Sequence, residues 1–211
     1  MPADRPVVSA RDALARLREG NRRYVQNVRS VDSLLSHSRR GDLAQRMPFA
    51  IVLGCSDSRA PAEVVFDQGL GDLFVIRVAG NIVAPSQVGS VEFAAQRFGT
   101  RLVVVMGHTL CGAIEASIEA ITQEKVSAST NILSIVNRVR PSIEGLFATD
   151  LARDPARLRR EAVRANVRAS VNHLRHGSQI IEDLASQGGL AVVGAELDLD
   201  TGEVAFLDEI P

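Results

Sequence analysis

The chain has 211 residues, 45% hydrophobic and 23% charged, which is enough for one substantial buried core and unlike a disordered or fibrous composition. Its 24 basic and 25 acidic residues leave a net charge of -1, so no overall field favours nucleic acid or a membrane surface, and 4% aromatics without tryptophan argue against a base-stacking platform. No apolar run reaches the roughly 18 residues of a spanning helix, and residues 1–6 lack a basic start leading into an apolar core, so a cytoplasmic protein with no membrane or nucleic-acid partner is expected.

Residues 9–28 open with Ser9 as a helix N-cap and set Ala13, Leu14, Leu17, Tyr24, Val25 and Val28 at mostly helical spacing. This predicts one or two amphipathic helices ahead of the sheet, packed on a partner subunit or on their own chain. Residues 29–47 are polar and mixed and read as loop, with a short helix at 39–46. Pro48 then opens a strand over 49–54, and Pro61 suits the first turn of a helix over 61–68 that stops at Gly69. A second strand covers 73–78 and closes at Ala79-Gly-Asn81. Residues 87–98 carry Val88, Val91, Ala94, Ala95 and Phe98 at helical spacing, with Gly99 as the stop.

The third strand, 102–106, is followed by helices over 113–122, 131–147 and 155–176, then a strand over 190–199 and a turn at Gly202 into a fifth over 204–207. Strands alternating with helices predict an α/β fold: a mainly parallel four-stranded sheet with flanking helices, an antiparallel fifth edge strand and an N-terminal helical arm. With no linker in view, 1–211 reads as a single domain, with 1–47 as arm and loop and 48–211 as the α/β core.

Two of these strands break at a glycine and release reactive side chains. After Gly54 come Cys55, Asp57 and Arg59; after Gly107 come His108 and Cys111. In open parallel sheets the carboxyl ends of the strands are where ligands bind. Thiolate and imidazole are the ligands of zinc, and a catalytic zinc typically keeps three protein ligands and an exchangeable fourth position. Cys55, His108 and Cys111 supply such a set. The two cysteines could instead form a disulfide or a redox dithiol, or one could act as a nucleophile with His108 as base. Taken singly, a cysteine at the end of an apolar strand is usually a small buried hydrophobe. Five reactive residues at sheet ends favour the metal. Asp57 and Arg59 add a gate, because a carboxylate beside a metal can ligate it or be held away by a guanidinium in a bidentate pair.

Arg153, Arg157, Arg159, Arg160, Arg164, Arg168 and Arg175 outnumber Asp154 and Glu161, but Val163, Val167, Val171 and Leu174 give the same stretch a buried face, so a solvated or interface helix is expected there. His37, His173 and His176 have no evident partners and read as surface residues.

Gly54-Cys-Ser-Asp-Ser-Arg59 followed by Pro61-Ala-Glu63, then Gly69-Leu-Gly-Asp-Leu-Phe74, Arg77-Val-Ala-Gly-Asn81, Gly89-Ser-Val-Glu92 and Gly107-His-Thr-Leu-Cys-Gly112, resemble the β-class carbonic anhydrases. The match runs from about residue 13 to 115 and resumes at the strand in the 190s. The resemblance implies Zn2+ held by Cys55, His108 and Cys111, with Asp57 and Arg59 as a dyad; Asp57 becomes the fourth zinc ligand only in a closed state. It implies reversible hydration of carbon dioxide to bicarbonate and a proton, that is, a carbonate dehydratase. Relatives that hydrolyse carbon disulfide or carbonyl sulfide on the same fold are the rival enzyme reading. A zinc-stabilised interaction or sensor protein, with Asp57 permanently on the metal, is the rival outside enzymes.

The resemblance further implies a homodimer as minimum unit, or a higher oligomer such as a homotetramer, with the N-terminal arm wrapping the partner. An apolar substrate pocket would lie at the interface, with Phe74, Ala79 and Phe93 in its wall and the Gly112 N–H facing the substrate; other members carry tyrosine where Phe93 stands. Two departures stand out. Relatives place a substrate-contacting glutamine two residues before the proline that opens the first strand, whereas here Arg46 holds that position and Gln45 lies one residue earlier. Members with a secondary bicarbonate site often carry tryptophan three residues before the first zinc cysteine; Val52 stands there, and no such site is expected.

Overall fold

Strand β1 (Ala50–Gly54) is buried at every residue and lies between β2 (Leu73–Arg77) and β3 (Leu102–His108), parallel to both. An unbroken apolar strand has to be covered on both faces. In this computed structural model, which describes residues 7–31, 47–123, 129–208 and 210, β4 (Ala191–Leu197) adds a fourth parallel strand and β5 (Val204–Phe206) pairs antiparallel at the edge, in the order β2-β1-β3-β4-β5. Around the sheet run α1 (Ala10–Val25), α2 (Ala62–Val65), α3 (Pro85–Phe98), α4 (Gly112–Thr122), α5 (Thr130–Ile143), α6 (Pro155–His176) and α7 (Gln179–Gln187). The expected α/β architecture, antiparallel edge included, is the one present.

Side chains alternate across the pleat. Ala50 and Val52 meet Leu14 and Leu17 of α1 and Phe66 on one face, whereas Ile51 and Leu53 join Val91 of α3 and Val167 and Leu174 of α6 on the other. A third cluster, at the carboxyl end of the sheet, combines Cys55 and Cys111 with Ile114, Val139, Ile143 and Val163.

Helix α1 is seated on its own chain. Ser9 caps it by accepting the Asp12 N–H at 3.1 Å. Its closest approach is at Gly20, where a Cβ would stand 1.8 Å from the Phe66 carbonyl oxygen. At the next residue, buried Asn21 donates to the carbonyls of Val65 (3.1 Å) and Gly202 (2.9 Å) and accepts from the Val204 N–H (2.9 Å).

Several boundaries differ from the sequence expectation. Helix α2 stops at Val65 because Asp67 adopts φ 46° and turns its carboxylate to the Arg23 Nε (2.6 Å) and the Ser30 N–H (3.0 Å). Strand β3 does not break at Gly107 but runs on to His108, pairing Gly107 with Glu196 and His108 with Leu197. Glycine is needed inside that strand because a Cβ would lie 2.6 Å from Val167 Cγ2 of α6. Strand β4 ends at Leu197, two residues early. Helix α3 starts at Pro85, whose fixed φ suits a first turn. Helix α5 ends at Ile143, two residues past Pro141, and gives way to a tighter turn over Glu144–Ala148.

Helix α7 had no counterpart in the sequence reading; Ser178 caps it by accepting the Ile181 N–H at 3.3 Å. The expected short helix at 39–46, which includes Gln45, and the separately noted His37 lie outside the described residues.

Several arginines of α6 are paired within the chain. Arg159 pairs with Glu115 (2.9 Å), Arg160 with Asp198 (3.6 Å) and Arg164 with the buried Glu196 (2.8 Å). His176 lies 3.7 Å from Glu182 rather than alone. Among the described residues no helix is long and apolar enough to cross a membrane.

Candidate metal centre

The carboxyl ends of the adjacent strands β1 and β3 place the five reactive residues together. Cys55 follows Gly54 directly and is 6% exposed, and its Sγ receives the Gly80 N–H at 3.4 Å. That N–H comes so near because Gly80 takes φ 68°, and a Cβ on it would press to 3.0 Å from the Ala113 Cβ. His108 is the last residue of β3 and is buried. Its Nδ1 stands 2.8 Å from the Thr109 carbonyl oxygen. A carbonyl only accepts, so Nδ1 carries the proton and Nε2 is left with its lone pair.

Cys111 is the residue preceding the first turn of α4, and its Sγ lies 4.0 Å from Cys55 Sγ. The two sulfurs and a His108 ring nitrogen lie within 4.8 Å of one another. Both cysteines are free thiols.

These residues fit a zinc ion. Nε2 of His108 is buried and has no hydrogen-bond partner among the described residues, a costly state for a polar atom unless a ligand completes it. Two thiolates about 2.3 Å from a tetrahedral zinc stand roughly 3.8 Å apart, close to the separation of the two sulfurs. The hydrogen bond between the two sulfurs holds Cys55 below the usual thiol range against the cost of burial, while that same bond and burial push the Cys111 thiol up.

Asp57 is gripped by Arg59 at both oxygens: Oδ1 accepts from Nε (3.0 Å) and the backbone N–H (2.9 Å), Oδ2 from Nη2 (2.8 Å). This fork holds the carboxyl well below the usual carboxylate range, burial acting the other way. Nη2 also donates to the Leu110 carbonyl at 3.2 Å, which ties the turn after β1 to the turn after β3. Leu110 meets it in the left-handed conformation, φ 57°. Arg77, at the end of β2, donates from Nε to the Cys55 carbonyl (3.0 Å) and from Nη2 to the Asp57 carbonyl.

The sequence reading assigned no role to Arg77, Gly80, Thr109 or Leu110. Arg77 and Gly80 belong to the run Arg77-Val-Ala-Gly-Asn81, which was the available signal; Thr109 and Leu110 act through main-chain carbonyls, which carry none.

The expected pocket residues divide into two groups. Gly112 is the exposed first residue of α4, and Ala79 is half-buried at the start of the turn Ala79–Asn81, next to Gly80. Phe74 sits on β2 level with Ile51 and packs against Phe93 (centroids 6.2 Å apart) and Phe98 (6.1 Å) of α3, and Phe93 remains 55% exposed. A cavity of about 400 Å³ opens beside the centre, lined by Leu110, Cys111, Ile114, Glu115, Arg159 and Val163 among others. A larger one of about 640 Å³ lies between α1 and α6, and none of the five reactive residues lines it.

A family profile described as carbonic anhydrase matches residues 50–204. The chain is 35% identical to carbonic anhydrase 2 of Mycobacterium tuberculosis over 215 aligned residues, covering 100% of this chain and 97% of the relative. It is 36% identical to a carbonic anhydrase of Mycolicibacterium smegmatis, over 97% and 94% of the two chains. In fold it is similar to a β-carbonic anhydrase of Aspergillus fumigatus, with TM-score 0.73 and 24% identity over 93% and 89% of the chains. It is equally similar to one of two tetrameric β-carbonic anhydrases of Sordaria macrospora, with TM-score 0.73 and 22% identity over 83% and 90%.

Proposed function

The chain belongs to the carbonic anhydrase family and has the fold of its β-class, and from that premise we propose that Cys55, His108 and Cys111 hold its zinc, with Asp57 and Arg59 as the dyad that works beside it. The protein is a zinc-dependent carbonate dehydratase, hydrating carbon dioxide reversibly to bicarbonate and a proton. The observation that carries the site assignment is the orphaned Nε2 of His108, buried beside the paired sulfurs of Cys55 and Cys111.

Bound zinc supplies a Lewis acid that lowers the pKa of a water to about 7, a figure measured on carbonic anhydrases themselves. The Thr109 carbonyl fixes the His108 tautomer so that Nε2 stays available. Asp57, kept ionised by Arg59, can only accept a hydrogen bond; with Oδ2 4.0 Å from Nε2 it receives the proton side of the attacking water and leaves a lone pair for carbon dioxide. Bicarbonate is an anion, and the N–H of Gly112, in the first turn of α4 and without an intrahelical acceptor, is the donor we assign to it. The grip of Arg59 on Asp57 speaks against a permanently closed, non-catalytic metal.

The working unit is a homodimer or higher homo-oligomer. The exposed Phe93 beside Phe74 supports this, because it leaves aromatic surface for a second copy to cover and gives Phe74, Ala79 and Phe93 a role in the pocket so formed. A cytoplasmic location suits two free cysteines 4.0 Å apart, which a reducing compartment keeps available for metal.

Stopped-flow hydration of carbon dioxide, run with metal analysis of protein purified without chelator, tests the assignment. About one zinc per chain with saturable turnover is the expected result. A chain free of zinc, or one that turns over carbonyl sulfide far faster than carbon dioxide, would overturn it.

A further inference from the structure

The ladder that steadies β1 ends at Gly54, whose register partner is Arg77, and the Val78 N–H still reaches the Gly54 carbonyl at 3.1 Å. Beyond that point residues 55–57 leave the sheet. They carry a thiol that has to stay in place and a carboxylate with two candidate partners, Arg59 and a metal. The Arg77 guanidinium takes over where the ladder stops, donating from Nε to the Cys55 carbonyl at 3.0 Å and from Nη2 to the Asp57 carbonyl. The Asp57 carbonyl also accepts the Ala60 N–H at 3.1 Å, so the same oxygen anchors the turn that presents Arg59. A planar guanidinium can meet two carbonyls two residues apart at once; an ammonium acts as a point charge without that fixed fork.

We propose that Arg77 is a positioning residue of the hydration reaction, holding the Cys55–Asp57 segment so that the Asp57 carboxylate stays on Arg59 and off the metal. The inference rests on the assignment of Cys55, His108 and Cys111 as metal ligands. The fork fixes the peptide planes at Cys55 and Asp57, and with them the direction in which the Asp57 side chain leaves the backbone. So aimed, the carboxylate meets Arg59 at both oxygens and stops 4.0 Å from His108 Nε2. Without the fork, the segment keeps the Gly80 N–H on Cys55 Sγ, the bonds inside the turn and the reach of Arg59 to the Leu110 carbonyl, none of which fixes the Cys55 and Asp57 carbonyls. Those ties let the carboxylate swing toward the metal and close its fourth position. Arg77 therefore biases the choice between an open and a closed site without touching substrate.

The test uses Arg77→Lys, which keeps the charge and loses the fork, and Arg77→Ala, each prepared in zinc and cobalt(II) forms. Four quantities are read: metal per chain, thermal midpoint, the split between kcat and KM for carbon dioxide, and the visible absorption of the cobalt form, which reports its ligand set. We expect both variants to bind about one metal per chain and to melt near the wild type. On the scale of a lost positioning contact, kcat should drop about tenfold or more while KM changes little.

The cobalt spectrum should shift to that of a carboxylate-ligated site, and adding Asp57→Asn to Arg77→Lys should reverse the shift. Wild-type turnover and spectrum in Arg77→Lys would overturn the proposal, since charge alone would then suffice. Loss of metal in proportion to activity would overturn it too, since Arg77 would only be propping the fold. A wild-type protein that binds no metal would remove the ligand assignment itself, a failure the variants cannot imitate.

Discussion

Oδ2 of Asp57 stands 4.0 Å from Nε2 of His108 while Arg59 engages both oxygens of the same carboxylate. The carboxylate is thus near the metal position yet held on Arg59. Asp57→Asn puts an amide there, which meets the Arg59 fork with one acceptor instead of two and can turn a donor toward the attacking water. The expected outcome is about one zinc per chain and a kcat lower by roughly 10² or more, on the scale of a lost proton-handling group. Stopped-flow assays alongside metal analysis check this; a variant as fast as the wild type removes Asp57 from the dyad.

Cys111→Ala should behave differently, since it deletes a metal-facing sulfur rather than a group beside it. Metal retention through gel filtration is expected to disappear. The intact protein gives a companion measurement: once a chelator has stripped it, Cys55 and Cys111 remain 4.0 Å apart with nothing between them, and a mild oxidant should join them. Thiol titration is expected to show both cysteines lost after stripping and both retained when zinc is present. Equal oxidation rates in the two forms would mean that the metal sits elsewhere.

Leu110 carries φ 57° with a side chain that is mostly exposed. A non-glycine residue in that region costs about 1–2 kcal/mol, and glycine gives back about 0.5–1 kcal/mol through the unfolded chain. Leu110→Gly should therefore be neutral to slightly stabilising in urea titrations, whereas Leu110→Val, β-branched, should lose stability. The reverse order would show that the side chain, not the turn, sets this backbone.

Two glycine-to-alanine changes in helices should have opposite signs. At Gly20 the new Cβ would lie 1.8 Å from the Phe66 carbonyl oxygen, so α1 has to lift; a loss of about 1–3 kcal/mol or more and easier proteolysis of residues 10–25 are expected. At Gly89 of α3 a Cβ meets nothing within 4 Å among the described residues, and helix propensity alone predicts a gain of about 0.5–1 kcal/mol. Matching effects at the two sites would contradict the seating of α1 on its own chain.

The strands that carry the site were legible because β1 and β3 are buried on both faces and so read as unbroken apolar runs ending in reactive side chains. Cys55, His108 and Cys111 share no local pattern that says they meet; adjacency of β1 and β3 supplies that, and strand order is a property of the whole sheet. Helix α7 left a readable trace in Ser178, Ile181, Leu184 and Gly188, but it is short and runs straight into the apolar stretch of β4. Gly107 looked like a strand end because glycine often is one, yet here it makes room for α6 against the sheet. The bonds of Arg77 and Asn21 were out of reach, since each depends on carbonyls brought close only by tertiary packing.

Asn21 joins residue 21 to residues 202 and 204 through side-chain bonds of 2.9 Å. Synthesis runs from the N-terminus, so α1 is among the first segments made, yet part of its seat is among the last. On the ribosome, α1 has to wait for nearly the whole chain before its buried amide finds both partners. Shortening the chain by the β5 hairpin would accordingly loosen the opposite end of the sequence first, and a nascent chain halted before residue 202 should present α1 to chaperones or proteases even though β1 and β3, with every metal-facing residue, have already emerged.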